Sequence, residues 1–487
     1  YINAIYYEPV ADFTADITYG NSPLTVNFTD LSQSGTTNIV GWQWNFGDNC
    51  GSEEQNPTHI YEDTGIYTVS LTVTDERDST DTKINQNYIL VNGTHIPNGN
   101  VNGIWTYDGS PYFIDGEITI QQNDELMIEP GAIIYFTGHY KFNVYGRLEA
   151  QGTINDTITF TAQDTLTGWD ALRFFDTNIN GQDSSKIVYC RLEYGITPET
   201  SWINRSGGII CDNSSDILIM NCLIQKNLAS TSGGGINLYS NSNIIIRNNI
   251  IMNNKSGLQS WFPGGGIYCN NSSPIIIYNK IMYNQGWFGG GIYCGDNSNA
   301  VIINNKILYN FAMENGGGIT VSSSTPDITN NIISHNKYYW SGGGIGLIEA
   351  SPIITNCTVT NNFYECTYDH FGGGIHCCFG SNPTLINCIL WNNSSDEVFF
   401  DDWGDPNSIT ISYTDIEGGY YSIVTNGNGT INWLEGNIDA NPLFVVTGED
   451  PYSLLEDSPC IDAGIPDTTG LNLSPWDIIG NLRIWDG

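Results

Sequence analysis

The chain has 487 residues, and 52 acidic against 15 basic side chains leave a formal net charge of −37. Such a charge argues against nucleic acid or anionic membrane as a partner and favours cations, and no apolar run reaches the ~18–20 residues that cross a bilayer. With only 14% charged residues but 12% aromatics, the composition is that of a β-rich folded protein and not of an acidic disordered tail.

The first stretch, "YINAIYYEPV", carries three tyrosines and two isoleucines in ten residues. Residues 1–9 are expected to form a strand-like leader. It either adds to a neighbouring copy, giving head-to-tail self-association, or packs on the domain that follows. Because the sequence starts at Tyr1 without a methionine, a processed chain or a fragment is expected.

Over residues 10–92, "PLTVNFTD" (23–30), "VGWQWNFGD" (40–48) and "GIYTVSLTVTD" (65–75) alternate apolar and polar side chains with period two. That alternation marks half-buried strands of a β-sandwich. "WNFGD" followed by Pro57, His59, Tyr61, Gly65, Tyr67, Val69, Leu71 and Val73 resembles the PKD domain, an immunoglobulin-like sandwich. The resemblance implies an extracellular spacer or adhesive module without catalytic residues. One departure is Asn49-Cys50-Gly51, where that family carries glycine directly after the aspartate. Cys50 stands alone in its domain and reads as a free thiol.

From residue 93 the pattern changes. Glycine triplets recur at 233–235, 264–266, 289–291, 316–318, 342–344 and 372–374. Aligning them brings Asn221, Asn248, Asn279, Asn305, Asn330, Asn356 and Asn387 to one position, with steps of 25–31 residues. Self-similarity at that period means a solenoid. Short β-branched runs such as "PIIIYNKIMYN" (274–284) and "PIITNCTVTNN" (352–362) give three short strands per coil, hence a right-handed parallel β-helix over 93–440. Stacked coils let the asparagines bond side chain to side chain as a structural ladder, while the glycines supply unusual backbone angles and close approach at one corner.

The segment 103–175 and the ending "NPLF…SPCIDAGIPD…GNLRIWDG" (441–487, read as a C-terminal cap) resemble secreted bacterial β-helix surface proteins. These belong to the pectate-lyase-like superfamily and are associated with type IX secretion. The resemblance implies export and a place outside the cell or on its surface.

Cys211, Cys269, Cys294 and Cys377 share one offset from the glycines, and Cys222, Cys357 and Cys388 follow ladder asparagines. They read as small buried hydrophobes, with Cys269–Cys294 and Cys357–Cys388 as the disulfide pairs to test. Cys366, His370, His376 and Cys378 are a candidate zinc set, with a Cys366–Cys378 disulfide as the alternative. Calcium is the other candidate cofactor, at "TDERDSTD" (74–81) and "FDDWGD" (400–405).

Cleavage of a polysaccharide by a lyase or glycosidase needs paired carboxylates, or a base beside a cation, on neighbouring rungs. Residues 207–393 hold one arginine, Arg247, and scattered carboxylates; Glu365, Asp369 and His370 are the acid/base candidates. Aromatics form a more regular pattern. Trp261, Phe262, Trp287, Phe288, Tyr338, Tyr339, Trp340, Phe363 and Tyr364 precede the glycines on successive coils. Such a stripe suits sugar rings or a protein partner, unless the rings lie down over bare glycine backbone. The sequence therefore reads as an all-β, non-catalytic extracellular surface protein, structural or adhesive, with glycans, other surface proteins or its own copies as partners. Carbohydrate binding and polysaccharide cleavage are the alternatives.

Overall fold

The computed structural model describes residues 6–177, 184–197, 207–257, 262–364, 372–445, 452–466 and 469. The chain divides into two units: Tyr1–Ile96 with Trp105–Ile114 and Ala132–Tyr135, and the remainder. Among the described residues regular structure is all strand, apart from two short 3₁₀ turns.

In the first unit two sheets face each other. Phe13–Ala15, Leu24–Asp30 and Thr58–Tyr61 form one; Ile39–Asn45, Gly65–Asp75 and Thr80–Val91 dominate the other. Period-two alternation turns Leu24, Val26 and Phe28 inward, where they meet Phe13, Trp44, Phe46, Tyr61 and Leu71. Burying each such side chain stabilises by ~1.5–3 kcal/mol.

Of the leader expected over residues 1–9, residues 6–9 pack on their own sandwich, the second of the two alternatives, and residues 1–5 lie outside the described residues. Thr36 N donates to Tyr7 O (2.9 Å), and Val10 exchanges two backbone hydrogen bonds with Gln33. The Tyr6 hydroxyl donates to Asp75. Donation from the Thr37 and Tyr6 hydroxyls, then from backbone N–H groups of Arg77 and Ser79, holds the Asp75 carboxyl down to about 2.

The second unit is a solenoid of roughly a dozen coils. One coil shows its grammar. Ile292–Gly295 lies in sheet 1, Val301–Ile303 in sheet 2 and Lys306–Leu308 in sheet 3, and the next coil begins at Ile319–Ser322. Every rung pairs in parallel and in register with the next, as in Ile292↔Ile319, Val301↔Asp327 and Lys306↔Ile332. Inward columns of isoleucine result, with Ile276, Ile302 and Ile328 in sheet 2 and Ile281, Ile307 and Ile333 in sheet 3 all fully buried.

Cysteines occupy the same columns. Cys211, Leu238, Cys269, Cys294, Val321, Leu347 and Cys377 succeed one another in sheet 1. These thiols act as aliphatic-sized core groups. All eleven described cysteines are free thiols, so Cys269 and Cys294, and likewise Cys357 and Cys388, stack on adjacent rungs without a bond between them.

The glycine triplets sit where each coil enters sheet 1. The first glycine has φ between 58° and 74° in all six. At the second, space decides: a Cβ on Gly317 would lie 2.3 Å from Lys337 O and 2.7 Å from Gly343 O. Both requirements exclude a side chain, so the entropy cost of glycine is offset by the backbone hydrogen bonds that only glycine permits here.

The asparagine ladder needs a correction of one residue. The rungs pair Arg247 with Ile277, Ile277 with Ile303, and Ile303 with Thr329. The next position in each coil is therefore Asn248, Tyr278, Asn304 and Asn330, and the one after it Asn249, Asn279, Asn305 and Asn331. Only the second series is the buried ladder, with Nδ2 of one amide 3.0 Å from Oδ1 of the next. Asn279 and Asn305 belong to it. Asn221, Asn248, Asn330, Asn356 and Asn387 instead take the left-handed position just before, with φ of 52–57°. Cys222, Cys357 and Cys388 continue the ladder beyond its asparagines, their thiols donating to buried carbonyls.

Two further ladders line the other corners. Asn254, Asn284, Asn310, Asn336 and Asn362 stack between sheets 3 and 1 at 3.0 Å or less. Serines 242, 272, 298 and 324 stack between sheets 1 and 2. Residues 452–466 then lie against the coils. Tyr452 reaches His335 Nδ1 (2.9 Å), Cys460 donates to Asp415, and Ile465 N donates to Asn387 Oδ1.

Candidate binding face on the loop corner

The loops that precede the glycines are ordered as a sheet of their own. Gln285–Phe288, Phe311–Asn315, Lys337–Tyr338 and Phe363–Tyr364 pair in parallel, carried at the coil spacing by the solenoid beneath. This brings the aromatics of four loops onto one corner. They are not equivalent there. Tyr338 is fully buried, its ring against Gly343, where a Cβ would come within 2.9 Å of the ring. That ring covers bare glycine backbone. Phe262, Trp287, Phe288, Tyr339 and Phe363 are half-buried. Trp340 and Tyr364, on consecutive loops, are 56% and 42% exposed. Trp261 lies outside the described residues.

Among the described residues, charged groups near the rings are few. Lys337 Nζ sits 5.3 Å from the centre of the Phe363 ring, a cation–π contact. Burial raises the Glu314 carboxyl, although a hydrogen bond with Trp287 opposes the shift. The acid/base candidates Glu365, Asp369 and His370 lie outside the described residues.

Two aromatic stacks escaped the sequence reading. On the outer side of sheet 1, Tyr268 and Tyr293 stack with centroids 5.3 Å apart, and burial raises both hydroxyls. Their shared offset from the glycine triplet was a usable signal. At the corner between sheets 3 and 1, Tyr283 and Tyr309 stack at 5.1 Å with His335 next at 4.9 Å. Each of these three stands in the left-handed position before a ladder asparagine, so the same alignment that exposes the ladder would have exposed them.

The candidate zinc set does not assemble from its described members. His376 is buried and both ring nitrogens are engaged: Nδ1 accepts from Asn315 Nδ2 (3.1 Å) and Nε2 donates to Asp401 Oδ1 (2.9 Å). The Cys378 thiol donates to Leu347 O, also inside the fold. Cys366 and His370 lie outside the described residues. Of the acidic stretches, 74–81 spends Asp75 on its own turn and on Thr37 and Tyr6, and 400–405 spends Asp401 on His376.

Residues 6–90 match the PKD domain family, and overlapping matches to the family described as right-handed β-helix region together span 172–453, more than half of the chain. Collagenase ColA of Bacillus cereus is 47% identical over 49 residues, which are 10% of this chain and 5% of that protein. The pre-pro-metalloprotease PrtV of Vibrio cholerae is 38% identical over 74 residues, 15% of this chain and 8% of its own length. The chain thus spans less than a tenth of either relative. Among solved structures, the PKD1 domain of the same Vibrio metalloprotease is 35% identical over 18% of this chain and 98% of its own, with a TM-score of 0.16.

Proposed function

Because this chain belongs to the right-handed β-helix family and carries a PKD domain ahead of the helix, we propose that it is an exported, non-catalytic surface protein, structural and adhesive. The solenoid is its rigid support, and the loop corner takes the partner, a glycan chain. One observation carries the reading: Trp340 and Tyr364 stay open to solvent on consecutive loops while everything beneath them is locked by ladders and glycines. Sugar rings present apolar faces that stack on such side chains, and two exposed rings on neighbouring loops suit a linear saccharide. A surface protein is the other partner class for the same face.

The test is retention on an array of bacterial and host polysaccharides. Trp340→Ala and Tyr364→Ala should each weaken retention severalfold and shift the unfolding midpoint less than Tyr338→Ala does, because both rings are exposed and Tyr338 is buried. Tyr338→Ala should lower the midpoint. Retention indifferent to both exposed rings would end the glycan reading. New reducing ends or unsaturated uronates on incubation would end the non-catalytic one.

A further inference from the structure

We propose that Asp48, Cys50 and His59 of the sandwich form a binding site for a zinc-class divalent ion, with one coordination position left open to solvent. The carboxylate, thiol and imidazole atoms of the three residues all lie within 4.8 Å of one another. They come from two separate elements. Asp48 and Cys50 sit on the turn after Ile39–Asn45, and His59 on strand Thr58–Tyr61.

The site is shaped before any ion arrives. Left-handed backbone at Gly47 (φ 88°) and Asn49 (φ 68°) tightens the turn. Phe46 N donates to Cys50 O, and Cys50 N donates to Asp48 Oδ1 (both 3.0 Å), so the acid and the thiol are held side by side. The His59 ring lies flat on Phe46, 4.2 Å between centroids at 8°, with the edge of Tyr61 at 4.6 Å. Packing therefore fixes the imidazole with Nε2 directed at Asp48 Oδ2, 2.6 Å away.

Ligand chemistry selects the ion. One sulfur, one nitrogen and one oxygen suit Zn²⁺, Co²⁺ or Cd²⁺, whereas Ca²⁺ and Mg²⁺ want oxygen throughout. On binding, the ion takes the place of the proton shared between His59 and Asp48, which moves to Nδ1, and the Cys50 thiol releases its proton to solvent. Thiolate and carboxylate then balance the two positive charges. Cys50 is exposed, so water or an external ligand completes a four-coordinate shell. The asparagine–cysteine–glycine turn, odd for a PKD-like sandwich, thereby acquires a physical role: the ion ties the turn to strand 58–61.

Cobalt(II) titration of the full-length reduced chain tests this. A one-to-one complex should show thiolate-to-cobalt charge transfer and the visible bands of four-coordinate cobalt, displaced by zinc and not by excess calcium. Cys50→Ser should abolish the charge-transfer band and weaken zinc binding by more than ~10-fold, with the metal-free unfolding midpoint unchanged because the side chain is exposed. Cys366→Ser should keep the band. No band in the natural chain, or a band that survives Cys50→Ser, overturns the proposal. So does a band lost only in Cys366→Ser.

Discussion

Two corners of the same coil follow opposite rules. Between sheets 2 and 3 the chain turns in two residues, a left-handed one and then a buried amide, and it does so on rung after rung. Between sheets 3 and 1 a buried amide also stacks, but a loop of variable length follows before the glycines resume the coil. The first corner keeps its two-residue length from rung to rung, with cysteine in place of the amide at Cys222, Cys357 and Cys388. Asn305 Nδ2 donates to Ile276 O and to Asn331 Oδ1, and its own Oδ1 accepts from Asn279 N and Nδ2, so the amide has no spare bonding capacity. At the second corner the amide below and the glycines above restore register whatever lies between, which leaves the loop free to carry exposed rings. Strict repetition at one corner thus permits variation at the other.

The largest test of that contrast is at the glycines. Gly317→Ala places a methyl against two backbone carbonyls that cannot move apart without breaking the coil spacing. It should destabilise by more than ~3 kcal/mol. An unfolding midpoint within error of the natural chain would mean that the loop corner is not held by close backbone approach.

Next come the two asparagine positions. Asn305→Ala strands the Asn279 donors and should cost ~2–4 kcal/mol. Asn248→Gly, one register earlier and left-handed, should fall within ~1 kcal/mol of neutral, since glycine is at ease at positive φ. Equal costs would erase the difference between the two registers.

A pH-dependent effect marks the end of the loop-corner ladder. Asn393 has no further asparagine above it; its N and Nδ2 donate to the two carboxyl oxygens of Glu397, which takes the place of a triplet glycine. Burial pushes the Glu397 carboxyl up to about 8, Asn393 opposes the shift, and Glu417 adds to it. A carboxyl whose folded value lies above its ordinary 4.5 gives its full stability below that value and loses it as pH rises through about 8. Stability of the natural chain should therefore fall between pH 5 and about 9, and Glu397→Gln, which mimics the protonated acid, should flatten the fall. Parallel pH profiles for the two proteins would remove Glu397 from the ladder.

How much of this was legible beforehand differs from residue to residue. The triplets gave the period, and the short β-branched runs between them gave the parallel architecture. The sandwich followed from the alternation of "PLTVNFTD" and the spacing from Pro57 to Val73. The cysteines read as small core groups because they share parity with inward isoleucines, and the columns place them so. The ladder was read one residue out at five positions. In Asn248-Asn249 and Asn330-Asn331 either amide satisfies the alignment, and only the pairing of rungs tells which faces inward.

Periodicity in the chain thus determined a PKD-like sandwich and a parallel solenoid, since a one-dimensional repeat is itself the record of stacking. Which rings of the loop corner reach solvent was decided by tertiary structure alone. Tyr338 is covered and Trp340, two residues on, is not, because burial depends on loops one coil away. The same holds for Asp48, Cys50 and His59. Their convergence depends on how a turn and a strand eleven residues apart close on each other in space, and residue spacing alone carries no measure of that distance.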